Sequence, residues 1–237
     1  SNFIKSINLL NNRLFDEVTM GMTLPHSLIY LDLTKSQISP NSLSFFLNEL
    51  FSSPRSQLLT LNVSDLATSA SPSDIVNCFN IEHAQPILAE FIFSGNEMLP
   101  DDVTTIITFL KTQTRLSYLN LSRCLKSDID DSLDQIAEFI NDSKLSGFEY
   151  VCASNSPLGK QGVQFIEKLI GKCSLSSLVI ERSGMSDAGL EALRSLVEQD
   201  SKMTSIACDG INPQNDGFFR DAYNVFCRLD RVQIPTK

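Results

Sequence analysis

The sequence predicts an α/β solenoid, a horseshoe with a parallel β-sheet on its concave face and helices on its convex face. Three observations predict it. An apolar pattern, L-x-x-L-x-L-x-x-N-x-L with other apolar residues allowed at the leucine positions, recurs nine times in 237 residues. Its copies start at 4, 28, 58, 88, 116, 148, 175, 203 and 229, in steps of 24, 30, 30, 28, 32, 27, 28 and 26 residues. Between copies, apolar residues recur at three- and four-residue steps, the period of a helix with one buried stripe.

Each copy follows one physical logic. Side chains alternate across a strand, so L-x-L marks a short strand buried on one face. The strand positions begin Ile4, Ile7, Leu9, then Leu28, Leu31, Leu33, then Leu58, Leu61, Val63. They continue Leu88, Phe91, Phe93, then Leu116, Leu119, Leu121, then Phe148, Val151, Ala153. Leu175, Leu178, Ile180, then Met203, Ile206, Cys208, then Leu229, Val232, Ile234 complete them. Helices are predicted over Ser42 to Phe51, Val103 to Leu110, Ile129 to Ile140, Val163 to Ile170 and Leu190 to Val197. Ser39-Pro40, Pro100-Asp101, Ser186-Asp187 and Pro213 are the caps or first-turn prolines expected at helix starts. The asparagine position holds Asn12 and Asn96, with Ser36, Cys124, Ser156 and Ser183 as weaker substitutes and Leu66 and Ile211 as none. The serine-rich stretch from Ser64 to Asn80 is expected to be irregular.

A strand plus a full helix needs more chain than the shortest leucine-rich units use. Repeats of about 28 residues therefore point to the ribonuclease-inhibitor-like class of leucine-rich repeats. The expectation is a single leucine-rich-repeat domain over 1–237, of about nine repeats and part of a longer solenoid. Ends without polar caps would also allow oligomers.

Composition narrows the partner. With 28 acidic against 19 basic residues the formal charge is −9, which disfavours nucleic acid and direct binding to an anionic membrane. No apolar run approaches the roughly 20 residues of a membrane helix. The six cysteines lie no closer than 19 residues apart, without metal-finger spacing, and read as free thiols of a cytoplasmic protein. Catalysis finds no support. His26 and His83 are the only histidines, both between repeats, and no HExxH, GxSxG or GxxxxGK(S/T) motif occurs. The acidic cluster Asp128, Asp130, Asp131 and Asp134 suits a helix N-terminus better than a calcium loop. No cofactor, metal or catalytic residue is expected.

A ligand would meet the residues between the strand leucines. The first such column reads Ser6, Tyr30, Thr60, Glu90, Tyr118, Tyr150, Ser177, Ser205 and Arg231. The second reads Asn8, Asp32, Asn62, Ile92, Asn120, Cys152, Val179, Ala207 and Gln233. Three of the four tyrosines fall in the first column, and tyrosine gives large contact area at low entropic cost, though it also suits strands. Tyr30, Asp32, Glu90, Tyr118, Asn120, Tyr150 and Arg231 are the candidate protein-binding residues.

From Leu88 onward the chain also resembles the repeat domain of the CARMIL family. The resemblance rests on Phe91-Ile-Phe93-Ser-Gly-Asn96, Ile106-Ile-Thr-Phe-Leu110, Ser183-Gly-Met-Ser-Asp-Ala-Gly189 and Val232-Gln-Ile-Pro235. It implies a cortical scaffold that regulates actin assembly, linking capping protein and myosin-I. It also implies a membrane-binding domain before the repeats and a dimerising helix and capping-protein-binding tail after them. Two other functions use the same repeats: a GTPase regulator resembling the Ran GTPase-activating protein, and the ligand-sensing block of an immune receptor.

Overall fold

The computed structural model describes residues 3–14, 16–19, 21–66, 70–125, 130–151, 159–181, 187–199, 202–203 and 205–207. They belong to two compact units, Ser1–Asn120 and Leu121–Lys237. Both mix parallel strands with helices.

In the first unit the elements run β1 (Ser6–Asn8), β2 (Arg13–Leu14), α1 (Asp16–Thr19), β3 (Tyr30–Asp32), β4 (Gln37–Ile38), α2 (Pro40–Ser52) and β5 (Thr60–Asn62). They continue with α3 (Pro72–Asn77), β6 (Glu90–Ile92), α4 (Pro100–Thr112) and β7 (Tyr118–Asn120). Strands β1, β3, β5, β6 and β7 pair in parallel in that order, and β2 pairs with β4 in a small second sheet. Parallel neighbours need a crossover between them, which the intervening turns and helices supply.

Alternation fixes which side each strand buries. Leu31, Leu33, Leu61, Val63, Phe91, Phe93 and Leu119 are all fully buried, as are Leu28, Leu58 and Leu88 at the heads of their repeats. Each such side chain stabilises by about 1.5–3 kcal/mol. The helices cover this side with Leu43, Phe46, Leu47 and Leu50 of α2 and Val103, Ile106, Ile107 and Leu110 of α4.

Caps set the helix starts. Ser42 N–H donates to Ser39 Oγ at 3.1 Å, with Pro40 in the first turn of α2. Leu99 N–H donates to Asp102 Oδ2 at 2.9 Å, with Pro100 opening α4. The Asp16 carboxylate joins α1 to α2, accepting from Ser39 Oγ at 2.5 Å and Ser42 Oγ at 2.6 Å. These two hydroxyls, Ser39 first, hold its pKa below the ordinary aspartate value.

The stretch from Ser64 to Asn80, expected to be irregular, contains the short helix α3. A reciprocal cap starts it: Asp74 N–H donates to Ser71 Oγ at 3.3 Å and Ser71 N–H to Asp74 Oδ2 at 3.0 Å. With six residues where α2 and α4 have 13 each, α3 leaves a space that aromatic rings fill. Phe79 packs against Phe91, Phe93 and Phe109 with ring centroids at 5.4, 5.6 and 5.3 Å, and Phe51 meets Phe109 at 5.1 Å.

Three residues after the ends of β1, β3, β5, β6 and β7 the chain turns through the left-handed region: Asn11, Lys35, Asp65, Gly95 and Arg123 have φ of 56°, 55°, 48°, 77° and 62°. Asn96, at the repeat's asparagine position, holds this turn to its neighbour. Its amide donates to Val63 O at 2.7 Å and Phe93 O at 2.9 Å, and its Oδ1 accepts from Leu66 N–H at 3.0 Å. The amide of Asn96 thereby serves the turn where Leu66 cannot. Ser36 plays a similar part, donating from Oγ to Leu9 O at 2.7 Å.

In the second unit come α5 (Asp130–Asp142), β8 (Gly147–Val151), α6 (Gly159–Leu169), β9 (Ser177–Glu181), α7 (Asp187–Gln199) and β10 (Ser205–Ala207). Strand β9 lies between β8 and β10, parallel to both, while α6 packs between α5 and α7. Asn141 Nδ2 donates to Lys168 O at 2.9 Å, and Lys168 pairs with Asp134 at 2.6 Å. All five helices expected from the spacing are present. The caps at Ser186 and Pro213 and the ninth repeat, from Leu229, lie outside the described residues.

One strand register differs from the sequence expectation. Phe148 pairs with Leu178 and Tyr150 with Ile180, so the sixth repeat starts at Leu145 rather than Phe148. Leu145, Phe148 and Tyr150 are buried to within 2 %. Leu121 N–H donates to Glu149 O at 3.0 Å, as Leu33 N–H does to Asn62 O and Val63 N–H to Ile92 O. Glu149 thus takes the place that the spacing gave to Cys152, which lies outside the described residues.

Cys78, Cys124 and Cys173 are buried and in no disulfide; Cys152, Cys208 and Cys227 lie outside the described residues. Burial pushes the Cys78 thiol above its ordinary pKa, and its Sγ donates to Asp74 O at 3.2 Å and Pro40 O at 3.3 Å.

Candidate functional site

The helices cover one side of the first unit's sheet, and the predicted columns form its other side. Tyr30, Thr60, Glu90 and Tyr118 are Cα partners in one unbroken row, and Asp32, Asn62, Ile92 and Asn120 form the next. At about 4.8 Å between strands, each row extends roughly 14 Å across the four strands. The backbone register thus gathers residues that are up to 88 positions apart in the chain.

The face is polar and internally braced. Asp32, only 7 % exposed, accepts from Thr34 Oγ1 at 2.6 Å, Thr34 N–H at 2.8 Å, Tyr30 Oη at 3.1 Å and Asn8 Nδ2 at 3.5 Å. Its role is to orient neighbours rather than to meet a ligand directly. Burial, followed by the charge and hydrogen bond of Asp32 and the more distant charge of Glu90, raises the Tyr30 phenol above its ordinary pKa. Asn62 Oδ1 likewise accepts from Ser64 Oγ at 2.7 Å and Ser64 N–H at 3.1 Å. Short side chains that bond their own strand end are locked before any ligand arrives, which lowers the entropic cost of binding.

Glu90 differs from these residues. It is exposed, and its Oε2 accepts from Thr60 Oγ1 at 3.0 Å. Tyr118 follows it in the row, half-buried, while Asn120 is buried.

Of the candidate residues, Tyr30, Asp32, Glu90, Tyr118 and Asn120 share this face. Tyr150 does not. It is buried in the second unit at 2 % exposure, its Oη donating to Leu125 O at 3.5 Å. The reason is the register: Tyr150 pairs with the buried Ile180, and Gly147 pairs with Ser177 in the column assigned to Tyr150. A phenolic ring matches the apolar inward position in size, so spacing alone misassigned it. Arg231 lies outside the described residues.

A cavity of about 200 Å³ lies on the helical side, beside α4, lined by Phe79, Ile81, Thr104, Thr108, Phe109 and Thr112 among others. Thr108 and Thr112 spend their hydroxyls on Thr104 O and Phe109 O, both at 2.7 Å. Among the described residues no group of three or more His, Cys, Asp or Glu could hold a metal ion, and no helix is long and apolar enough to cross a membrane. His26 Nδ1 lies 3.4 Å from Ser53 Oγ at an exposed site, and His83 sits in a turn. No family model matches the chain, and no curated protein matches it.

Proposed function

We propose that the chain is a leucine-rich-repeat solenoid of the ribonuclease-inhibitor-like class whose open sheet face binds another protein. On this reading it is a single array over 1–237, a scaffold rather than an enzyme. The observation that carries it is the unbroken register of Tyr30, Thr60, Glu90 and Tyr118, which makes a continuous face of fixed hydroxyls, amides and two phenol rings. Such a face offers a macromolecule broad contact and offers a small molecule no enclosure. The motif resemblance adds the cellular setting: a CARMIL-like regulator of actin assembly in the cytoplasm, at the cell cortex.

The double variant Tyr30→Ala with Tyr118→Ala tests the face. Immobilised protein is exposed to cytosolic extract and the retained proteins are identified by mass spectrometry. The variant is expected to lose proteins, actin regulators among them, that wild type and the helix-side variant Thr108→Arg both retain. Both tyrosines are half-buried, so thermal unfolding is measured alongside to separate lost contact from lost structure. Identical sets from wild type and a folded double variant would remove the face from consideration.

A further inference from the structure

We propose that Glu90 and Tyr118 form a seat for a cationic side chain, an arginine or lysine presented by the protein that covers the sheet face. The inference rests on the binding reading above and narrows it to a partner of one charge.

Charge complementarity carries it. Across the two rows, from β1 to β7, there are two carboxylates and no lysine, arginine or histidine. The two carboxylates are not equivalent. Asp32 is buried and takes four hydrogen bonds from three neighbours on its own sheet. Glu90 is exposed and takes one, from Thr60, on Oε2. Oε1 accepts no hydrogen bond among the described residues, so one charged acceptor is open on an otherwise braced face.

Its neighbour supplies the second half of the seat. Tyr118 is the Cα partner of Glu90, about 4.8 Å away along the row, so both side chains leave the same face of the sheet from adjacent strands. A guanidinium or ammonium group there meets an aromatic face and a carboxylate oxygen together. Arginine fits better than lysine, because its planar group can stack on the ring while its edge donates to the carboxylate. An anionic side chain at the same place would face Glu90 and, behind it, Asp32. Burial is the first cause of the raised Tyr30 pKa, and the charges of Asp32 and Glu90 add to it in the same direction. A bare metal ion is a poor alternative, because Asp32 is already committed and no third ligand joins the pair.

The test uses the full chain and fluorescein-labelled hexa-arginine, with hexa-lysine and hexa-glutamate as comparisons, read by fluorescence anisotropy at low salt. Glu90→Gln and Tyr118→Ala are each expected to weaken hexa-arginine binding by about fivefold, the effect of losing one charge-assisted or cation–π contact. Tyr118→Phe keeps the ring and is expected to bind as wild type. Glu82→Gln removes the same charge from an exposed turn after α3 and is expected to change nothing. Equal weakening by Glu82→Gln and Glu90→Gln would overturn the seat, since net charge alone would then account for binding. Unchanged binding in Glu90→Gln, or tighter binding of hexa-glutamate, would overturn it too. Loss of captured proteins by the tyrosine double variant, with hexa-arginine binding unaffected by Glu90→Gln, sinks the seat and spares the face. Unchanged capture by the double variant sinks the face itself.

Discussion

Replacing Phe79 with alanine is expected to destabilise the first unit by about 3–5 kcal/mol, the usual cost of deleting a buried ring. Phe79 is 1 % exposed and touches three other phenylalanines, two from β6 and its following turn and one from α4. The shortness of α3 makes it hard to replace. Where a 13-residue helix would bring a stripe of side chains, this repeat closes its layer with α3 and the ring that follows it. Neighbours anchored on strands and on α4 cannot collapse far into the gap, so the cavity term adds to the lost transfer energy. Denaturant unfolding followed by circular dichroism reads the loss. Phe3→Ala, at a site 88 % exposed, is the control and should change stability by no more than about 0.5 kcal/mol. A Phe79→Ala loss of the same small size would show that the aromatic cluster does not hold this layer.

Tyr150→Ala is expected to cost the second unit about 3–5 kcal/mol as well, for the same reason. Tyr150→Phe should cost under about 1 kcal/mol, because the buried ring is kept and the hydrogen bond to Leu125 O is long, at 3.5 Å. The pair discriminates between two registers. If Tyr150 lay on the open face, truncation would leave the midpoint nearly unchanged and act on binding instead. Unaltered stability in Tyr150→Ala would therefore restore the placement that spacing suggested and contradict the pairing of Tyr150 with Ile180.

That misplacement marks where the sequence stops being informative. Strand positions and helices are legible because a period-two pattern embedded in a 28-residue period leaves little freedom: Leu28, Leu58, Leu88 and Leu116 all occur where they should and are all buried. The five residues of the face that lie on β3, β6 and β7 follow from the same count. In the sixth repeat the segment from Leu145 to Ala153 carries apolar or aromatic residues at both phases, Phe148 and Tyr150 against Val151 and Ala153. A shift of three residues then satisfies the pattern almost equally well, and a strand slipped by an odd number exchanges its two faces. Hydrogen bonding to the neighbouring strands decides it. Leu145 was the available signal, since starting there gives steps of 29 and 30 residues in place of 32 and 27.

The difference between Asp32 and Glu90 was not legible. Both are acids in adjacent columns, and only the hydrogen bonds of Thr34, Tyr30 and Asn8 show that one is spent and the other open. The helix at Pro72–Asn77 was hidden by the reverse effect, a serine-rich composition masking a reciprocal cap. Local polar chemistry overrode a compositional reading in both places.

Photo-crosslinking tests most directly which side of the sheet meets a partner. A benzophenone side chain is placed at Thr60, between Tyr30 and Glu90 in the row, or at Thr108, exposed on α4 beside the cavity. Irradiation in cytosolic extract is expected to give a discrete protein adduct from Thr60 and none from Thr108. An adduct from Thr108 with none from Thr60 would place the partner on the helices and contradict the account.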